Sequence, residues 1–432
     1  MLGQPAVLVI GGGISGIQAS FDLASRGIKV YLVEKSPSIG GRMAQLDKTF
    51  PTMDCSMCIL APKMIDCSHH PNVELLTYSE VKEVKGSPGN FTVKVVKKPR
   101  YVDISKCTGC SMCVDNCPVE VPNEFDGGLG MRKAIYMPFP QAVPRTMTID
   151  KENCIECGLC EKVCEAGAVD LDQKPEEIEL KVGGIIVATG FDIFDPSQIP
   201  PYGYGRHKDV ITALELERLL CASGPTGGHL VRPSDGKVPK TIAFIQCVGS
   251  RDRRHGNPYC SSICCKYAVK DAVLIKEHDP SARVCIFYID LRAFGRGFQE
   301  FVNRAKTEYG IRFIRSNPGE ITYDPETKGL SIWYEDTVTR KIENLNFDLV
   351  VLSAALIPRK DVGDLAKVLG IEVDQYGFLK PSSSISEPVD TTVPGIFACG
   401  YCLGPKTGDI PDSVSQGSAA ASRAAEVIVS GE

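Results

Sequence analysis

The sequence predicts an α/β chain of two nucleotide-binding-type units, the first interrupted by a cysteine-rich insert. Three observations carry that reading. A strand, a glycine-rich turn, a helix, a second strand and an acid follow one another within the first forty residues. Two four-cysteine runs of identical spacing lie between Cys107 and Cys164. A second series of short apolar runs alternating with helical patterns extends from Thr241 to Ile314.

Residues Ala6 to Ile10 (AVLVI) form a short apolar run suited to a buried parallel strand, and they feed directly into Gly11, Gly12, Gly13, Ile14, Ser15 and Gly16. The segment Ile17 to Arg26 carries Ile17, Phe21 and Ala24 at helical spacing, and Gly27 ends it before a strand from Lys29 to Val33. Gly11 permits the tight turn, Gly13 lets a pyrophosphate approach the backbone, and Gly16 lets helix and strand pack closely. The helix N-terminus around Ser15 offers N–H groups to the anion. Glu34, eighteen residues beyond Gly16, is placed to accept ribose hydroxyls. A GxGxxG also occurs as a bare connecting turn, but strand, turn, helix, strand and acid in order favour a bound dinucleotide. Glu34-Lys35 followed by Gly40-Gly41-Arg42 favours FAD over NAD. This stretch resembles the two-dinucleotide-binding-domain flavoproteins, in which such a Gly-Gly-Arg segment lies along the FAD pyrophosphate.

With 432 residues the chain has room for two or three domains. A balance of 48 basic to 53 acidic residues and a net charge of −5 give no nucleic-acid footprint. No apolar run approaches the length of a membrane span, and Met1 to Pro5 lead into the first strand without a signal peptide, so a cytoplasmic location is expected. Nineteen cysteines in a long α/β chain of this kind point to metal or redox duty rather than to a disulfide scaffold.

After the glycine-rich unit, Cys55 and Cys58 form a C-x-x-C that reads as a redox dithiol, half of a metal site or two buried thiols. Val73 to Leu76, Val81 to Val84 and Phe91 to Val96 read as strands, with Gly86-Ser-Pro-Gly89 a hairpin turn.

Cys107, Cys110, Cys113 and Cys117 then follow C-x2-C-x2-C-x3-C with Pro118 next, and Cys154, Cys157, Cys160 and Cys164 repeat the spacing. Thiolates at these intervals surround [4Fe–4S] cubanes, three from a tight loop and the fourth from the start of a helix. In the bacterial two-cluster ferredoxin pattern the fourth cysteine serves the other cluster. Cys107, Cys110, Cys113 and Cys164 are thus expected to hold one, and Cys154, Cys157, Cys160 and Cys117 the second. Structural zinc, which prefers paired C-x2-C knuckles, is the weaker alternative. The spacer Pro118 to Asn153 is expected to be a loop or added hairpin. Apolar sequence resumes at Gly183 and ends in Ala188-Thr189-Gly190, a familiar FAD-domain element, so the ferredoxin-like unit reads as an insert.

In the second α/β unit, the strand Thr241 to Gln246 leads to no second GxGxxG. Cys247, Cys260, Cys264 and Cys265 (C-x12-C-x3-C-C) stand where a phosphate loop belongs. They read as a third [4Fe–4S] site, with buried thiols and zinc as alternatives, and the loss of the fingerprint argues against NAD(P)H there.

The cradle, the stretch Thr52-Met-Asp-Cys-Ser-Met-Cys-Ile-Leu-Ala-Pro-Lys63, the ferredoxin insert and C-x12-C-x3-C-C together resemble the A-type chain of heterodisulfide reductase. That family includes the A-type subunits of quinone-interacting oxidoreductase complexes. The resemblance implies a thioredoxin-reductase-like two-dinucleotide-binding-domain flavoprotein with an inserted two-cluster ferredoxin domain. It implies FAD, three [4Fe–4S] clusters, and a cluster on Cys247, Cys260, Cys264 and Cys265. It also implies that Lys270, otherwise read as an exposed helical lysine, approaches the flavin as its catalytic cation. Expected partners are HdrB/HdrC-like subunits or other redox subunits of hydrogenase, formate dehydrogenase or quinone-interacting type. The chain starts at the cradle and ends soon after the FAD segment, unlike the longest A-type chains, which puts direct coupling to a low-potential ferredoxin in doubt.

Toward the end, Leu349 to Leu352 reads as a strand of the flavin domain, and Val393 to Gly400 resembles the second FAD motif. Asp412, Ser413 and Val414 precede a small-residue helix from Gly417 to Val429 whose N-terminus can face the flavin, although Asp412 also fits a plain N-cap. Cys399 and Cys402 make another C-x-x-C, read as buried thiols or as a dithiol. The expected divisions are 1–97, FAD-binding; 98–175, ferredoxin-like; 176–238, FAD continuation and crossover; 239–345, second α/β; and 346–432, FAD-binding. The function implied is electron transfer within a complex, with flavin-based bifurcation open. The alternatives are a self-contained flavin-dependent disulfide or dithiol reductase and a scaffold with structural clusters.

Overall fold

The computed structural model describes residues 6–382, 386–405 and 409–430, with 429 and 430 described by backbone alone. The expectation for Met1 to Pro5 falls outside them. The chain divides into two units, one of residues 1–44, 57–191 and 358–432, the other of 45–56 and 192–357.

The first unit is built on a five-stranded parallel sheet in the order Ile396–Ala398, Gly184–Val187, Ala6–Ile10, Lys29–Glu34, Val73–Thr77. Its central strand explains the unbroken apolar run at the start of the sequence. Val7 and Val9 face one core with the helices Ile14–Ser25 and Ile410–Ser430, where Ala420, Ala421 and Ala424 allow close packing. Ala6, Leu8 and Ile10 face the other, beneath the antiparallel sheet Ser79–Ser87, Asn90–Lys97, Glu176–Val182. A strand covered on both faces needs apolar residues at every position.

The insert leaves after Lys97 and returns at Glu176, and these two residues are partners on one rung of the antiparallel ladder. Seventy-odd residues between them therefore leave the host sheet undisturbed. The expected spacer is two added hairpins, Glu120–Pro122 with Met131–Lys133 and Ile135–Tyr136 with Thr148–Ile149. A small core of Val102, Ile135, Met147, Ile149 and Val169 includes Cys113 and has five further cysteines packed against it.

The second unit has its own parallel sheet, Val210–Thr212, Leu349–Ala354, Thr241–Val248, Arg283–Tyr288, Arg312–Arg315. The helices Cys264–His278 and Phe298–Thr307 belong to it, as does Ala213–Leu220, which opens with a Thr212–Glu215 capping box. The strand from Leu349, expected in the flavin domain, is hydrogen-bonded here on both edges, and the chain returns to the first unit at Pro358 rather than at 346. Residues 45–56 also belong to the second unit, inside what the sequence presented as one stretch, 1–97. A fully buried parallel strand reads as apolar whichever sheet takes it, so its sequence does not declare its neighbours. Among the described residues no helix is long and apolar enough to cross a membrane.

Candidate functional site

The parallel strands of the first unit end along one edge, where Gly11, Glu34, Ala188 and Gly400 come together, the usual position for a ligand on such a sheet. Gly11 takes φ +109° and its N–H bonds Val33 O at 2.8 Å, while Gly13 caps the helix that carries Ser15 and Gly16. Glu34 accepts the Gly12 N–H at 2.6 Å and the Ser36 N–H at 2.7 Å, one on each oxygen. Each oxygen keeps a second lone pair for a ribose hydroxyl. Gly40 N–H bonds Gly12 O at 2.7 Å, and a Cβ on Gly41 would stand 2.9 Å from Gly13 Cα, so the Gly-Gly-Arg42 segment lies against the glycine turn. A Cβ on Gly400 would stand 2.5 Å from Ser15 Oγ, which puts the second motif beside the first. The Thr189 hydroxyl is buried with no hydrogen-bond partner among the described residues. A cradle of crowded glycines with one orphaned hydroxyl fits a dinucleotide flavin. Lys35, by contrast, is taken up by Asp361 at 2.8 Å, with Glu80 at 3.7 Å.

The helix near the flavin motif starts at Ile410, not Gly417. Asp412 is not its N-cap: the Asp409 carboxylate accepts the Asp412 N–H at 3.0 Å, and Asp412, Ser413 and Val414 form the first turn. Gln416 accepts the Gly400 N–H at 2.8 Å, tying that turn to the motif.

In the insert, Cys113 and Cys160 lie inside the four-residue helices Met112–Asp115 and Leu159–Lys162, and Cys117 and Cys164 follow those helices instead of opening new ones. A cavity is lined by Cys117 together with Cys154, Cys157 and Cys160, walled by Ile135, Ile149 and Leu171. The expected exchange of the fourth cysteine would draw on these four side chains. Cys107, Cys117, Cys154, Cys160 and Cys164 all pack on the one small core that Cys113 belongs to. Burial pushes the Cys113 thiol up to about 11, and the charges of Cys107 and Cys110 add to the push. Cys160 is raised by burial, then by Cys154 and Cys157. Backbone N–H groups point at sulfur, Glu156 at Cys154 (3.4 Å) and Ala168 at Cys164 (3.3 Å). Such bonds favour thiolate ligands. Among the described residues no three His, Cys, Asp or Glu side chains converge as around a single metal ion. A cubane asks for a wider arrangement, since each thiolate binds its own iron.

In the second unit the strand runs two residues past the expected Gln246, through a register shift that places Cys247 at φ +63°. Cys264 and Cys265 open the next helix. Burial pushes the Cys247 thiol up to about 12, and Cys265 and Cys260 add to it. Cys264 is raised by burial and by the same three neighbours, so the four thiols feel one another's charge. Ser262 donates its N–H to Cys260 Sγ at 3.3 Å. The turn is knitted by Ser250 and Ser261 rather than opened around a phosphate.

Lys270 is 1% exposed and so is no surface lysine. Its ammonium contacts Glu217, stands 2.9 Å from Asp271 and donates to Lys48 O at 3.1 Å. Asp271 meets that ammonium as an ion contact. Burial, then Glu217, holds Asp271 well above the usual carboxylate range. Sequence reasoning missed both acids; the signal was Lys270-Asp271 set among Ala268, Val269, Ala272 and Val273 on a buried face. Cys55 and Cys58 are disulfide-bonded, which differs from the buried-thiol reading. Cys399 and Cys402 are free thiols, 0% and 2% exposed.

A 4Fe-4S dicluster domain model matches residues 106–175 and a FAD dependent oxidoreductase model matches residues 6–54. The A-type chain of the H(2):CoB-CoM heterodisulfide,ferredoxin reductase of Methanothermobacter marburgensis is 56% identical over 98% of this chain. The A-type iron-sulfur chain of the CoB–CoM heterodisulfide reductase of Methanocaldococcus jannaschii is 59% identical over 96%. The chain spans 64% and 63% of those relatives' lengths. In fold it is similar to thioredoxin reductase of Lactococcus lactis, with a TM-score of 0.55 at 18% identity over 99% of both chains. Thioredoxin reductase of T. acidophilum gives 0.53 at 14% identity, over 98% of this chain and 97% of that one. In its flavin cradle, its dicluster insert and its identity along nearly the whole chain, it is similar to the A-type chains of heterodisulfide reductases.

Proposed function

We propose that the chain distributes electrons inside a multi-subunit heterodisulfide-reductase-type complex, with pairs exchanged at bound FAD and single electrons carried by three [4Fe–4S] clusters. Gly11, Gly13, Ser15, Gly16, Gly41 and Arg42 hold the pyrophosphate and Glu34 the ribose. Ala188, Thr189, Gly190, Gly400 and the helix turn Asp412-Ser413-Val414 line the rest, and Lys270 supplies a fixed cation. Cys107, Cys110, Cys113 and Cys164 hold one cluster; Cys117, Cys154, Cys157 and Cys160 hold the second; Cys247, Cys260, Cys264 and Cys265 hold the third. The observation that carries the reading is the thiol group at the end of the strand Thr241–Val248, where a nicotinamide-nucleotide loop would otherwise stand. With that loop replaced, electrons enter and leave through partner subunits of B and C type or of hydrogenase, formate dehydrogenase or quinone-interacting type, and bifurcation is a property of the assembled complex. Anaerobic co-purification with iron and flavin quantified tests this. About twelve irons and one FAD per chain are expected; NAD(P)H oxidation by the isolated chain refutes it.

The disulfide at Cys55 and Cys58 favours one other reading, a self-contained flavin-dependent disulfide or dithiol reductase. It requires turnover with NAD(P)H and loss of that turnover in Cys55→Ser.

A further inference from the structure

Two arginines stand at the third thiol group, and one carboxylate holds both. Arg251 lies in the turn after the strand Thr241–Val248. Asp290 and Arg292 follow the neighbouring parallel strand Arg283–Tyr288, so the three meet at one edge of the sheet. Arg251 Nη1 is 2.5 Å from Asp290 Oδ1, and Arg292 Nη2 is 3.4 Å from Asp290 Oδ2. The Asp290 backbone carbonyl accepts from Cys265 Sγ at 3.7 Å. Asp290 thus ties both guanidinium groups to the Cys265 end of the thiol group. Arg251 lies four residues beyond Cys247, and its N–H bonds the carbonyl of Tyr259, the residue before Cys260. Both guanidinium groups therefore stand where Asp290 meets the cysteines.

The turn that presents them is strained. Cys247, Arg251 and Ser262 all lie at positive φ, +63°, +58° and +63°, and Arg251 is pinned there by its N–H bond to Tyr259 O at 2.7 Å. Side-chain exposures of 27%, 45% and 44% for Arg251, Asp290 and Arg292 make the ion pairs poor sources of stability. Strain held beside a thiol group for little gain in stability points to a functional use.

We propose that Arg251 and Arg292, held apart by Asp290, form a cationic clamp that sets the reduction potential of the cluster on Cys247, Cys260, Cys264 and Cys265. The inference rests on the assignment of that cluster made above. Reduction adds one electron to the cluster and breaks no bond, so the gain in negative charge stays within the thiolate cage. Two fixed cations against the cage stabilise the reduced form and raise its potential.

The test is a potentiometric titration of the full chain, loaded anaerobically with iron and sulfide, reduced with dithionite and read by electron paramagnetic resonance. At a fixed ambient potential, Arg251→Gln and Arg292→Gln should each lower the reduced-to-oxidised ratio of the third cluster about tenfold, a shift of about 59 mV to the negative for a one-electron couple. The signals of the two ferredoxin-type clusters should not move. Arg251→Lys and Arg292→Lys keep the charge and should titrate like the wild type. Full iron content with an unmoved midpoint in both glutamine variants overturns the clamp. Should the glutamine variants lose iron, the lysine variants decide: a wild-type midpoint supports the clamp and a tenfold loss overturns it. A wild-type chain that holds only about eight irons removes the third cluster itself, and the inference falls with that assignment.

Discussion

Lys270→Met isolates what the buried ammonium does in the second unit. Methionine keeps most of the stem, so apolar packing changes little, but Glu217, 2% exposed, stays buried without its cation and Lys48 O loses its donor. A single ion contact at 2.9 Å, the Lys270–Asp271 separation, amounts to about 6 kcal/mol at an effective dielectric constant of about 20. That contact counts for less than its Coulomb value, because burial and Glu217 favour the protonated form of Asp271. The stranded charge on Glu217 then dominates, and breaking a buried pair from one side costs about 3–5 kcal/mol. Urea unfolding under anaerobic conditions measures it, with variant and wild type matched for iron and flavin because bound groups shift apparent stability. Trp333, the single tryptophan, lies in the strand Gly329–Asp336 of the same unit and reports its unfolding by fluorescence. Adding Glu217→Gln to Lys270→Met removes the stranded charge and should recover at least half of the loss. A single variant that loses less than about 1 kcal/mol, or a double variant less stable than the single, refutes the reasoning.

Cys117→Ser should abolish the same cluster signal as Cys157→Ser and leave the signal abolished by Cys110→Ser, because Cys117 lines the cavity of the second run. Matching spectra of Cys117→Ser and Cys110→Ser would reverse the assignment. Asp271 has its folded value raised above the ordinary 3.8, so the stability it contributes is present below that value and is lost as pH rises through the folded one. Asp271→Asn lacks this loss and should gain on the wild type as pH rises from 4 upward; Lys270, also raised, changes nothing below its ordinary 10.5. Parallel pH profiles for variant and wild type would count against the buried acid. Glu34→Gln replaces a charge-assisted acceptor of the Gly12 N–H by a neutral one, at a cost of roughly 1.5–3 kcal/mol, and flavin affinity measured by equilibrium dialysis should fall about tenfold to a hundredfold. Unchanged affinity would remove Glu34 from the site.

The parts of the site legible in the sequence were those whose chemistry forces a local pattern. A glycine turn between a buried strand and a helix, and thiolates spaced for a cubane, leave marks within a dozen residues. The start of the last helix was also marked, by Pro411 in the first turn behind Asp409, but the run of small residues from Gly417 drew the boundary seven residues late. Contacts made across the fold left no such mark. Glu217 lies 53 residues from Lys270, and Asp290 lies 39 residues from Arg251. Each looks like an ordinary charged residue until the sheet edge or the helix pair brings it in. The strand from Leu349 shows the same limit, since its composition specifies burial but not the sheet.

How the insert is held decides whether its clusters keep a fixed place beside the cradle. Attachment through Lys97 and Glu176 alone, one rung of an antiparallel ladder, would leave a hinge. Arg100 removes that freedom. It is 3% exposed and donates to Pro37 O and Thr77 Oγ1, both at 2.6 Å, in the host, and to Thr148 Oγ1 at 2.9 Å in the insert. Burial pulls its pKa down to about 10, which still leaves it charged at neutral pH. The segment Ser38 to Gly40 makes the second connection. Ser38 Oγ accepts the Val143 N–H at 2.8 Å and Ile39 N–H bonds Val143 O at 3.1 Å, while Gly40 N–H reaches Gly12 O. Three consecutive residues thus bond the insert on one side and the glycine turn on the other. Phe139 and Ala142 of the insert enter the same apolar core as Ile39 and Met43. A displacement of the insert would have to break a buried guanidinium network and open that core together. The hydrogen bonds of Arg100 and Ser38, more than the covalent tether, are therefore what fix the clusters of the insert beside the flavin cradle.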